Sequence, residues 1–324
     1  MFHYDNGLVL TRGRLAVDFR RRQPCGFVSH AHADHMARHE LALATPATAR
    51  LYRHRLGDRL RVLEMPYRAP LEFGGLRLTA YPAGHCLGSA MLLADDGDTR
   101  LLYTGDFKLA ASLTAEPAEL PHADILVMES TFGLPRYRLP RRDSVIEQLL
   151  AEVRTALASA QTPVIHAYAL GKAQEVTKIL TTAGISVQQH PVTYAVSRVY
   201  AACGMDLGSD TATVGEYTDR PLAGHAVVTL PRGMKNHRLP GLGATRSIAV
   251  TGWANDSGAR YRLGVDVALP LSDHADFDDL CAAVAQVNPR QVFCTHGPRE
   301  FVDHLRSAGF DAQPLSPDRQ RQLF

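Results

Sequence analysis

Ser29–His39 reads SHAHADHMARH, and within it His30, His32, Asp34 and His35 are spaced as H-x-H-x-D-H. The apolar GFVS before it predicts a strand and ADHMARHELA after it has helical character, so the cluster is expected on a strand-to-helix loop. In an extended segment residues i and i+2 point the same way, so His30 and His32 can hold one metal together, while Asp34 and His35 at the turn would face a second point. Neutral imidazoles suit zinc, and a carboxylate beside them suits a second zinc or manganese. A surface His-rich loop with chance spacing would look the same over so short a stretch, so further ligands have to decide. His85 stands in PAGHCLGSA between two predicted strands, flanked by Gly84 and Gly88, which allow close backbone approach. Asp106 ends the apolar LLYTGDF, and His296 ends VFCTHG. Sites are commonly built on loops above a sheet, and three such residues beside H-x-H-x-D-H predict a metal centre.

The rest of the chain bounds the class. Its 324 residues, 45% hydrophobic and 21% charged, are those of an ordinary globular protein with room for a large core or two modules. No apolar run approaches the roughly 20 residues that span a bilayer, and the N-terminus lacks a signal-like segment, so a cytoplasmic protein is expected. Five scattered cysteines without a C-x-x-C pair argue against both a disulfide framework and a zinc ribbon. The net charge of +2 argues against gripping nucleic acid by bulk charge alone. Only Lys108, Lys172, Lys178 and Lys235 are lysines, so 31 of the 35 basic residues are arginine. Arginine suits phosphate, although base composition of the genome produces the same bias.

LRLTAYPAG, AMLLAD, TRLLYTGDF and ADILVMES predict strands closed by Gly, Pro and Asp turn signals. Residues 143–160 follow with helical spacing behind an Asp N-cap candidate. PVIHAYAL, KAQEVTKILTTAG, ISVQQHP and TYAVSRVYAACG then alternate strand and helix, a βαβα rhythm that implies a parallel sheet with crossover helices. AVVTLP and SIAVTGWA add two strands joined by the Gly-rich RGMKNHRLPGLGATR. The chain closes with DVALPLSDHAD, a helix over DFDDLCAAVAQV, the strand QVFCTHG, a helix over REFVDHLRSAG and a short tail.

Taken in order, LAVDF with Asp18, SHAHADH, AGH, TGDF, MEST with Glu129, LSDHAD with His274 and FCTHG resemble seven motifs of the metallo-β-lactamase fold, and more closely of its nucleic-acid-processing β-CASP branch. The segment between MEST and LSDHAD is similar to the β-CASP cap. The combination of AHADH, ESTFGLP and HAYALGKAQ is similar to bacterial ligase-associated DNA exonucleases. The resemblance implies an α/β protein, a metallo-β-lactamase αββα sandwich with an inserted parallel-sheet α/β cap, divided as 1–140 and 251–324 for the sandwich and 141–250 for the cap. It implies two divalent ions, zinc or manganese: one on His30, His32, His85 and Asp106, the other on Asp34, His35, His296 and the shared Asp106. Two such ions can activate a bridging water against phosphorus and offset the charge of a phosphodiester.

By the same resemblance Asp34, Glu129 and His274 form the catalytic set, because a carboxylate bonded to an imidazole holds it ready to donate to a leaving oxygen. Read as residues alone, Glu129 and His274 have a structural strand-end pair as their alternative, and Asp18 is either a turn residue or the group orienting an imidazole from behind. Asp273 and Asp276 are expected as caps or supporting groups. Ser130, Thr131 and Lys172 are expected at phosphate, Lys172 from a helix N-terminus, where a solvated lysine is the plain alternative. His39, His54, His122, His166, His190, His225, His237 and His304 match no motif and are expected to be non-ligands.

Three classes of function compete. A two-metal nuclease, acting in DNA repair or processing on single-stranded DNA, is favoured. Small-molecule hydrolases of this fold lack the cap and the LSDHAD segment, and inactive scaffolds lose ligands that are all present here. A histidine in the last motif often accompanies RNA substrates, so His296 leans towards a ribonuclease, whereas ESTFGLP and HAYALGKAQ lean towards DNA. DNA ligase and helicase are the partners that the resemblance implies, and no membrane is expected.

Overall fold

The structure is a computed structural model and describes residues 1–234 and 238–315, so Lys235, His237, the centre of the Gly-rich link and the tail lie outside the described residues. The chain divides into two compact units. One comprises Met1–Ala111, Ala115–Arg138 and His274–Phe324, and the other Ser112–Thr114 and Leu139–Asp273.

The first unit carries two mixed sheets. Six strands, Phe2–Tyr4, Leu8–Leu10, Leu15–Val17, Cys25–Phe27, Leu41–Ala44 and Val62–Glu64, lie side by side in chain order. The second sheet runs Ala312–Pro314, Gln291–Thr295, Ile125–Glu129, Arg100–Tyr103, Ala90–Asp95, Leu76–Pro82 and Leu71–Phe73 across its width. Alternation along the strands explains the layering. Leu78, Ala80, Leu92, Leu101 and Val127 face Leu10, Leu15, Phe27 and Leu43 of the first sheet in one core. Met91, Leu93, Leu102, Leu126 and Met128 face the opposite way, onto the helices Phe277–Val287 and Arg299–Ser307 through Leu280, Val284, Phe301 and Leu305. Two faces buried at once make central strands such as AMLLAD continuously apolar, and truncating a buried leucine here to alanine would cost about 2–5 kcal/mol.

The second unit is a six-stranded, wholly parallel sheet in the order Val214–Glu216, Val187–Gln189, Ala226–Thr229, Thr162–His166, Thr245–Val250 and Val267–Leu269. The helices Arg142–Ala158 and Lys172–Thr182 cover it with Val145, Leu149, Val153, Val176 and Leu180, packed on Ile165, Val187, Val228 and Ile248.

Several expectations need correction. The inserted unit ends at Asp273 rather than 250, because Val267–Leu269 pairs in parallel register with Thr245–Val250 and so belongs to the inserted sheet. ADHMARHELA forms no helix. Its start is pinned as a loop, with His35 bonded to Asp18 and the Ala37 carbonyl accepting from the Tyr52 hydroxyl, and its end becomes the strand Leu41–Ala44. The first helix is Pro46–Leu56, whose N-cap Thr45 accepts from the Thr48 amide and whose proline stands in the first turn. The helix after MEST begins at Arg142 with Arg141 at the N-cap, so Asp143 sits inside the first turn, where its charge favours the helix dipole.

Candidate metal centre

The H-x-H-x-D-H residues leave the first sheet just after the strand Cys25–Phe27, and the Ala90 amide donates to the Ser29 carbonyl at 2.8 Å, which ties this loop to the second sheet. His85 occupies the turn between Leu76–Pro82 and Ala90–Asp95, where its amide donates to Ser89 Oγ at 3.2 Å. That turn lies so close to its neighbour that a Cβ on Gly84 would stand 2.1 Å from the Lys108 carbonyl oxygen, and the Gly84 φ of +77° is also one that L residues rarely adopt. Asp106 follows the strand Arg100–Tyr103, Glu129 ends Ile125–Glu129, and His296 follows Gln291–Thr295 with a left-handed φ of 57°.

One donor atom from each of His30, His32, His85 and Asp106 lies within 4.8 Å of all the others. His30 Nε2 is 2.9 Å from His32 Nδ1, His85 Nε2 is 3.1 Å from His32 Nδ1, and Asp106 Oδ2 is 3.5 Å from His30 Nε2 and 4.0 Å from His85 Nε2. Ligands about 2.0–2.1 Å from a tetrahedral zinc stand about 3.3 Å apart, so this donor set fits such an ion. The same Asp106 Oδ2 lies 3.3 Å from His35 Nε2, and Asp34 Oδ2 lies 3.8 Å from that nitrogen, a second cluster sharing one carboxylate. Asp34 is half exposed and its Oδ2 is 3.7 Å from Arg20 Nη2. His296 is exposed at the rim, its ring 5.7 Å from that of His35.

Electrostatics follow from burial among these groups. Burial drives the His30 pKa well below the usual histidine range, and neighbouring His35, His32 and His85 push it the same way, leaving a neutral imidazole with a lone pair to give. Burial also opposes charge on His35, but the carboxylates of Asp106 and Asp18 override it and raise its pKa well above the ordinary value. Asp106 is the counterpart: burial opposes its charge, yet His35 and then His274 keep it ionised far below the ordinary range.

Asp18 stands behind the centre. Its Oδ2 accepts from His35 Nδ1 at 2.8 Å, from Ser29 Oγ at 2.5 Å and from the Tyr103 hydroxyl at 2.9 Å, and its Oδ1 accepts from the Ser29 amide at 2.7 Å. Ser29 Oγ also lies 2.9 Å from His30 Nδ1, so one carboxylate reaches both clusters. Sequence patterns do not single out Ser29 and Tyr103, although Ser29 opens SHAHADH directly before His30 and Tyr103 immediately precedes TGDF, three residues before Asp106. On the far side, His274 Nδ1 lies 2.9 and 3.0 Å from the two oxygens of Glu129, which also accept from the Phe107 amide and the Thr131 hydroxyl. One donor atom each of Asp106, Glu129 and His274 again falls within 4.8 Å.

The residues expected at phosphate are committed elsewhere. Ser130 Oγ donates to the Thr295 carbonyl, and Thr131 Oγ1 to Glu129. Lys172 is 1% exposed inside the second unit, with Nζ 3.2 Å from Glu175 Oε2. Glu175 is itself buried and also accepts from Arg142 Nη2 and Ser112 Oγ at 2.8 Å, and a buried carboxylate needs such pairing. Lys172 is thus an internal counter-ion and not an exposed phosphate contact. Asp276 caps the helix Phe277–Val287 by accepting from the Asp279 amide, and Asp273 lies 3.9 Å from Lys172 Nζ. His39 accepts from the Gln23 amide, away from the clusters.

Two sheets enclosing a core, with histidines and acids on the loops beyond their strand ends, define a metallo-hydrolase of the metallo-β-lactamase fold. Residues 262–312 match the family described as Zn-dependent metallo-hydrolase RNA specificity domain. A protein of Opitutus terrae called "Probable DNA ligase" is 37% identical over 99% of this chain and 31% of its own length. "Endoribonuclease YSH1" of Eremothecium gossypii is 34% identical over 37% of this chain and 16% of its own, and an "RNase J-like protein" of Methanocaldococcus jannaschii is 34% identical over 32% and 25%. The chain spans about a third or less of the length of these curated relatives. With its inserted parallel-sheet unit, its fold is a metallo-β-lactamase sandwich of the β-CASP type. Among the described residues no helix is long and apolar enough to cross a membrane.

Proposed function

We propose that the protein is a two-metal phosphodiesterase, an exonuclease acting on single-stranded DNA in repair or processing. The observation that carries this reading is the donor cluster of His30, His32, His85 and Asp106, with His35 Nε2 3.3 Å from the same Asp106 oxygen and the Glu129–His274 pair beside it. His30, His32, His85 and Asp106 hold one divalent ion, zinc or manganese, and Asp34, His35, His296 and Asp106 hold the other. When bound, two such ions supply positive charge against a phosphodiester and make a water nucleophilic at neutral pH. Asp18 fixes the tautomer of His35 by accepting its Nδ1–H, and through Ser29 it orients His30. Glu129 accepts from His274 Nδ1, which leaves Nε2 to deliver a proton to the leaving oxygen. Asp34, half exposed at the mouth of the second cluster, completes the catalytic set.

DNA is favoured by the relative that matches over the whole chain, whose printed name is a DNA ligase. A ribonuclease is the second reading, favoured by the RNA-specificity description of residues 262–312 and the endoribonuclease name of a partial relative. Purified protein with zinc or manganese, on end-labelled single-stranded DNA and RNA of one sequence, tests both. Stepwise shortening of the DNA supports the proposal, cutting of RNA alone favours the second reading, and cleavage of neither removes both. Full activity after exhaustive chelation would remove the metal assignment.

A further inference from the structure

The turn that carries His85 is gripped by side chains from distant parts of the first unit, and no motif includes them. Gly84 and Gly88 bracket the histidine with positive φ of 77° and 78°, so the turn has little conformational preference of its own and is ordered by what surrounds it. Bonds within the turn do part of this. The Ala83 amide donates to the Ser89 carbonyl at 3.0 Å, and Ser89 Oγ accepts from the amides of His85 and Cys86, each at 3.2 Å. Thr45 Oγ1 and Thr48 Oγ1, at the start of the helix Pro46–Leu56, donate to the Gly88 carbonyl at 2.6 and 2.8 Å. On the other side the Gly88 amide donates to Glu116 Oε2 at 3.1 Å, and the Tyr67 hydroxyl donates to the Ser89 carbonyl at 2.9 Å.

The supports leave the turn no slack. A Cβ on Gly88 would stand 2.7 Å from the Thr48 amide nitrogen, so the turn lies hard against the helix start. Burial and the Glu116 carboxylate push the Tyr67 pKa well up, which keeps its hydroxyl a donor. Arg68, next to Tyr67, pairs with Glu119, whose amide donates at 2.9 Å to the Pro82 carbonyl. The segments bearing Tyr67 and Glu116 are thereby joined to each other and to the strand Leu76–Pro82 that leads into the turn. Held in this way, His85 Nε2 lies 3.1 Å from His32 Nδ1.

We propose that Glu116 and Tyr67 are positioning residues for His85: by fixing its turn they form the site of His30, His32, His85 and Asp106 in advance, so that binding an ion does not have to order a glycine-flanked loop. The inference rests on the reading of His85 as a metal ligand and extends the site to two side chains that touch no ligand ring through any of these bonds.

Zinc affinity, measured by competition with a chromophoric chelator, tests it without reference to turnover. Glu116→Ala should weaken zinc about tenfold, the lower end of the range for groups that orient a metal ligand, and Tyr67→Phe should act in the same direction. Glu116→Gln should restore the affinity, because its side-chain carbonyl can accept from the Gly88 amide. On a His85→Ala background neither Glu116→Ala nor Tyr67→Phe should weaken zinc further, since the imidazole they position is gone. Equal losses with and without His85, or a lowered melting temperature of the metal-free Glu116→Ala protein with unchanged zinc affinity, would overturn the positioning role. Unchanged zinc affinity in His85→Ala alone would overturn the ligand reading of His85, and the positioning role with it.

Discussion

Replacing Asp18 by asparagine keeps the shape of the side chain and inverts half of its hydrogen bonding. In the native protein Oδ2 receives three donors, His35 Nδ1, Ser29 Oγ and the Tyr103 hydroxyl, while Oδ1 receives the Ser29 amide. An amide in its place retains one acceptor and sets an NH₂ against donors, so the bond that orients His35 Nδ1 is weakened or lost. Groups that orient a metal-binding imidazole typically contribute 10–100-fold in affinity, or about 1.4–2.7 kcal/mol. The direct bond is to His35, so the second ion should weaken by that amount. His30 is reached only through Ser29, so the first ion should weaken by less. Leaving a buried donor unpaired should also cost about 1–3 kcal/mol of stability. Metal content by elemental analysis across a zinc titration, with thermal unfolding in parallel, reads both effects. Wild-type affinity at both steps would refute the role given to Asp18, and loss of the first ion before the second would show that Ser29, not His35, transmits its influence.

Other outcomes follow from the same geometry. Asp106→Ala should be the most damaging single ligand change, because Oδ2 lies within reach of both clusters; a variant that keeps both ions by elemental analysis refutes the sharing. His274→Ala should keep its metal and lose about 10²–10⁴ in turnover, the usual contribution of a positioned proton donor, whereas metal loss in step with activity would make His274 a ligand. Asp279 offers a stability test remote from the metals: burial, reinforced by Asp276, raises its pKa to about 6. A raised carboxyl stabilises the fold fully below its ordinary value and loses that contribution as pH climbs through 6. Asp279→Asn should therefore raise the melting temperature near pH 7.5 and converge with the parent towards pH 4; destabilisation at pH 7.5 would mean that the helix dipole outweighs burial.

The cluster of His30, His32, His85 and Asp106 is legible in the chain because these donors sit at positions where apolar strands stop. H-x-H-x-D-H, AGH and TGDF each follow a predicted strand, and a strand end in a layered α/β fold delivers its next residues to one edge. The βαβα rhythm after MEST likewise announced the parallel sheet, since strands buried on both faces leave long apolar runs and crossovers require helices. Other features were set only by three-dimensional neighbours. ADHMARHELA has helical spacing, yet bonds from His35 to Asp18 and from Tyr52 to Ala37 outweigh local propensity, and sheet pairing claims Leu41–Ala44. The end of the inserted unit depends on which neighbour Val267–Leu269 pairs with, which hydropathy does not encode. Lys172 reads as a phosphate contact at a helix start until the buried Glu175 claims it, and Asp18 reads equally as a turn residue or as the support of an imidazole until four donors converge on it. In each case sequence specified the chemical type of the group, while the partner that gives it a role came from contacts far along the chain, and only the folded packing brings these together.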